Sequence, residues 1–104
     1  MYRDILTICW SIKEVNRNLT DRKSISDFSI KYLKNACSDL AGLMREMGKS
    51  TPEERLRVVD KSGAKKSLSM QEVSEMLYDP RKIVELNLID TISKWARSKT
   101  PHMA

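Results

Sequence analysis

The segment 28–47 sets Phe28, Tyr32, Leu33, Ala36, Cys37, Leu40, Leu43, Met44 and Met47 at helical spacing. At about 100° per residue these positions cover nearly half of a helix circumference. A helix apolar over so wide an arc touches more than one neighbour, so the chain is expected to build around it. It should run from about Ser26 to Met47, with Gly48 stopping it as the left-handed residue past the last turn.

Before it, Ile5, Ile8, Ile12, Val15 and Leu19 alternate at spacings of three and four, one stripe of a helix from about Tyr2 to Asn18. Leu19-Thr20-Asp21-Arg22-Lys23 reads as the connection, and Ser24 or Ser26 as the next cap. After it, Thr51-Pro52-Glu53-Glu54 has the pattern of a capping box with proline in the first turn. This predicts a short third helix from Pro52 to about Lys61 that buries Leu56 and Val59 and ends at Ser62-Gly63. Ser69-Met70-Gln71-Glu72 is a second capping box, with Leu68 and Val73 as its apolar staple, and predicts a helix from Met70 to about Tyr78. Asp79-Pro80 starts a last helix reaching Ser98, with Val84, Leu88, Ile89, Ile92, Trp95 and Ala96 inward and Pro101 preventing continuation. No segment sustains period-two alternation. The expectation is an all-α fold without a sheet, a compact bundle or orthogonal array of about five helices.

The 104 residues form one expected domain, 1–104, with the tail from 99 onward frayed. The sequence is also readable as a piece of a longer protein. No stretch approaches the roughly 18 apolar residues of a membrane span. Cys9 and Cys37 follow no disulfide or zinc spacing, which points to a reducing, intracellular setting in either cytoplasm or nucleus. With a single histidine, no metal site is expected.

Catalytic constellations are equally sparse. His102 follows Pro101 near the end of the sequence, where a general base would lack fixed geometry. Glu53 and Glu54 have an expected capping role, and Glu85 reads as an edge carboxylate paired with a lysine or arginine. No nucleophile elbow, phosphate-binding glycine loop or zinc-protease motif occurs. The chain is read as a non-enzyme, with no cofactor and no small-molecule substrate. A helix-turn-helix over the last two helices fits poorly, because Tyr78 and Asp79 stand where the turn favours glycine and an apolar residue.

Two surfaces remain. Opposite the first helix's apolar stripe lie Tyr2, Leu6 and Trp10, interleaved with Arg3, Lys13 and Arg17. Trp, Tyr and Arg are the types that anchor interfaces, so this face is the expected site for a protein partner or a second copy of the chain. The competing reading sandwiches the first helix and buries Trp10 beside Trp95. The alternative partner is nucleic acid, held by the basic loop residues Lys61, Lys65 and Lys66 together with basic residues of the first helix. The charge permits it without demanding it: the net +5 divides as +3 in residues 1–50 and +2 in residues 51–104, so it is not a basic tail.

Overall fold

The computed structural model describes residues 2–20 and 27–100. Of the expected connection, Leu19 and Thr20 belong instead to the first helix, while Asp21, Arg22 and Lys23, the caps Ser24 and Ser26, and His102 lie outside the described residues. Among those described, the order is α1 (Tyr2–Thr20), α2 (Asp27–Ser50), β1 (Arg55–Val59), β2 (Lys65–Ser69), α3 (Met70–Met76), α4 (Pro80–Glu85) and α5 (Leu88–Ser98). The helix α1 packs against both α2 and α5, α2 also covers α3, and α5 closes over β1 and α4. The core between them is built from Ile5, Cys9 and Ile12 of α1, Leu40 and Met44 of α2, and Leu88 and Ile92 of α5, all buried.

The expectation of a sheetless fold is wrong. The segment read as a third helix is one arm of an antiparallel hairpin, with Leu56 opposite Leu68, Arg57 opposite Ser67 and Val59 opposite Lys65. The apparent helix start at Thr51 is occupied otherwise. Gly48 does not end α2, which continues to Ser50, and the Thr51 hydroxyl and amide both donate to the Met47 carbonyl at 2.8 Å. A turn follows in which the Glu54 amide donates to the Thr51 carbonyl at 3.0 Å. Arg-Leu-Arg-Val-Val then alternates exposed and buried along β1, and its paired β-branched valines favour a strand. Leu56, Val58 and Leu68 face the core, whereas Val59, expected inside, is 54% exposed.

Asp60 closes the hairpin. Its Oδ1 accepts from the Ser62 amide, the Ser62 hydroxyl and the Ala64 amide at 2.9, 2.6 and 3.0 Å. Gly63 takes the positive φ of +87° that this bulged turn requires. Gly48 has a different use from the one expected: a Cβ there would lie 3.2 Å from the Met70 Cβ, so its bareness lets α2 approach the start of α3.

The Ser69 box forms as expected, with the Ser69 hydroxyl accepting from the Glu72 amide at 3.1 Å and the Glu72 carboxylate accepting from the Ser69 amide at 3.0 Å. Asp79 caps α4 through the Arg81 amide at 3.0 Å. The single helix expected over 80–98 is broken instead. Asn87 adopts the left-handed conformation (φ 50°, ψ 47°) between α4 and α5. A continuous helix would point Leu86 away from the face that holds Leu88 and Ile92. The break buries Leu86 and leaves Val84, expected inward, 70% exposed.

Candidate functional site

The periodicity of α1 decides which of its side chains remain available. Ile5, Cys9 and Ile12 are buried, and about half a turn away Arg3, Trp10 and Arg17 are all exposed. These three are seven residues apart, so they form a straight row with steps of about 10 Å along the helix. Trp10 is 65% exposed at its centre, and the arrangement that would have sealed it beside Trp95 is not the one adopted.

The structure does not bring all six expected residues to this row. Tyr2 turns toward α5, where its ring meets Trp95 edge-on with centroids 5.5 Å apart. Leu6 is half-buried against the core. Lys13 crosses to α5 and pairs with Asp90 at 2.9 Å, and Lys94 meets the other oxygen of the same carboxylate at 3.2 Å. The Lys13 hydrogen bond, followed by that of Lys94, holds the Asp90 carboxyl below its usual range. Arg17 stays at the surface beside Glu14, at 3.3 Å.

Beside the C-terminal end of the row lies an open groove of about 350 Å³, bounded by Lys13 and Arg17 of α1 and by Ile83, Val84, Asn87 and Asp90 across the α4–α5 break. Sequence reasoning missed this groove because it assumed one unbroken helix. The available signal was Leu86-Asn87-Leu88: no continuous helix buries both leucines on one face, and asparagine is the non-glycine residue that best tolerates the left-handed conformation.

The loop lysines are also distributed differently from expectation. Lys61 sits in the hairpin turn, Lys65 faces outward opposite Val59, and Lys66 lies on the other side of the ribbon opposite Val58.

The remaining reactive groups are quiet. Burial pushes the Cys9 thiol up to about 12 and also raises that of Cys37. Neither is a ready nucleophile, since the thiolate is the attacking form. Glu54 accepts from the Lys99 ammonium at 2.6 Å and from the Trp95 indole N–H at 3.2 Å, so its carboxyl is committed to α5. Among the described residues no cluster of His, Cys, Asp and Glu could hold a metal ion, and no helix is long and apolar enough to cross a membrane. Comparison with known proteins yields no matching family model, no matching curated protein and no matching solved structure.

Proposed function

We propose that this chain is a non-enzymatic interaction module whose α1 row, centred on Trp10, docks an acidic protein partner. The carrying observation is the exposure of Trp10 between two exposed arginines, on the side of α1 opposite its buried Ile5, Cys9 and Ile12. Burying a tryptophan side chain contributes on the order of 3 kcal/mol through its apolar area. Arg3 and Arg17 supply steering and orientation at either end. The neighbouring groove extends the apolar contact through Val84.

A second copy fits the row less well. An antiparallel twofold pairing about Trp10 sets Arg3 of one copy against Arg17 of the other, and a parallel pairing sets each arginine against itself. A self-complementary interface needs opposite charges at these points. A partner segment with an apolar notch flanked by carboxylates meets the row without that conflict.

The test is Trp10→Ala, read for stability and for association. Association is followed as the anisotropy of a dye-labelled acidic amphipathic peptide with leucines on one helical face, and as solution mass by light scattering. An exposed Trp10 predicts a stability change within about 0.5 kcal/mol, against about 3–5 kcal/mol for a core tryptophan. Peptide binding should weaken at least tenfold (about 1.4 kcal/mol), and the wild-type mass should be that of a monomer. A large stability loss with unchanged association sinks the reading, and a dimer that Trp10→Ala dissociates replaces the acidic partner with self-association.

A further inference from the structure

The segment 55–69 holds Arg55, Arg57, Lys61, Lys65 and Lys66 against Asp60 alone, a net +4 of the chain's +5. Dividing the chain into halves conceals this, because the residues around the hairpin are acidic on balance. The fold then sorts the charges. The Asp60 carboxylate turns into the hairpin bend, and Lys66 stands on the other side of the ribbon, opposite Val58. Arg55 reaches diagonally across the strands, donating to the Ser67 hydroxyl at 2.8 Å and carbonyl at 2.9 Å, with Glu72 at 3.8 Å. Arg57, Lys61 and Lys65 form no ion pair with a described carboxylate.

The outer face of the ribbon therefore carries Arg55 and Arg57 along β1, Lys65 on β2 and Lys61 at the tip, all exposed. Alternate strand residues stand about 6.8 Å apart. That is of the order of the through-space separation of successive phosphates on one strand, which wind around the duplex as they rise about 3.4 Å per step along its axis. The Ser67 hydroxyl lies on the same face opposite Arg57, a further group of the kind that bonds phosphate oxygens.

We infer that the outer face of the β1–β2 hairpin binds the phosphate backbone of a nucleic-acid duplex through Arg57, Lys61 and Lys65, with Arg55 extending the row. A duplex fits better than a single strand, because residues 55–69 contain no aromatic ring on which unpaired bases could stack. A lipid surface fits less well, because Val59 is the single apolar side chain this face offers for insertion. Contacts to phosphate fix position without carrying sequence information, so this binding is expected to vary little with base sequence. This site is separate from the α1 row, and either can fail without the other.

The experiment is fluorescence anisotropy of the full chain with a labelled duplex of about 20 base pairs, in salt from about 20 to about 200 mM. Three to four phosphate contacts give a slope of log affinity against log salt of about −3 to −4. Lys65→Glu and Arg57→Gln should each lower affinity about tenfold at low salt, with circular dichroism unchanged. Lys34→Glu, an equal charge reversal on the exposed surface of α2, should change it less than about twofold, and Trp10→Ala should leave it unaltered. No binding at the lowest salt, a slope shallower than about −1, or equal losses in Lys65→Glu and Lys34→Glu would overturn the inference. So would tighter binding to phosphatidylserine vesicles or to a single strand of the same length than to the duplex.

Discussion

Glu54, at the end of the turn after α2, meets Lys99 at the end of α5 with a carboxylate–ammonium distance of 2.6 Å. The same oxygen accepts the Trp95 indole N–H at 3.2 Å, and Trp95 in turn receives the ring of Tyr2. One acidic side chain thereby ties the hairpin entrance, the last helix and the first residues of α1 into one corner.

That corner responds to pH from both sides. The Lys99 hydrogen bond, then that of Trp95, lowers the Glu54 carboxyl below its ordinary 4.5. Its contribution to stability is complete above that value and is lost as the pH falls through the lower, folded value. The same contact raises Lys99 above its ordinary 10.5, so its contribution holds below that value and is lost as the pH rises through the folded one. Glu54→Gln should therefore melt below the wild type at pH 7, and the two melting curves should converge in acid. Equal melting midpoints at neutral pH would show that the contact adds nothing.

Two glycines of α2 should respond in opposite ways to alanine. Nothing lies within 4 Å of a Cβ built on Gly42. Gly42→Ala should raise stability by about 0.5–1 kcal/mol through helix propensity alone. Gly48→Ala gains the same propensity but places a methyl group 3.2 Å from the Met70 Cβ, which is rooted in the first turn of α3. Urea denaturation should show it at least 1 kcal/mol less favourable than Gly42→Ala (roughly the cost of forcing one carbon into a packed contact).

Asn87 tests the helix break. Its left-handed backbone costs an ordinary side chain about 1–2 kcal/mol. Asn87→Ala should destabilise by about 1 kcal/mol, whereas Asn87→Gly should be neutral or stabilising. An alanine variant as stable as the wild type would mean that α4 and α5 join into one helix in solution.

The cysteines should differ in reactivity. With burial pushing Cys9 up to about 12, its thiol stays protonated at pH 8. Cys37 is half-buried, so an aromatic disulfide reagent should modify it first. Cys9 should react only at the rate of unfolding, so Cys37→Ser should abolish the faster phase.

How much of this was legible in the sequence depends on the length of the pattern. The α1 stripe, the wide face of α2, and the caps at Ser69 and Asp79 repeat a helical signal over several turns or carry a specific hydrogen-bonding motif. The hairpin strands have only five residues each, and just Leu56 and Val58 on one arm and Leu68 on the other turn inward. So short an alternation is outweighed by Thr51-Pro52-Glu53-Glu54, which has the composition of a helix start although its groups bond elsewhere. The exposure of Trp10 was legible from its angle, opposite Ile5 and Ile12 on α1. Lys13 was not separable from the row, because its partner Asp90 lies 77 positions away in the chain.

An isolated two-stranded ribbon is marginal in water. This one holds its shape because Leu56, Val58 and Leu68 are sealed against the helices behind it. The alignment of its cations is thus borrowed from the hydrophobic interior: once the interior melts, the same positive groups persist as a diffuse cloud with no fixed geometry. Any ligand that requires the aligned form is consequently a reporter of the native state, and its affinity should disappear in the same cooperative transition as the tertiary structure.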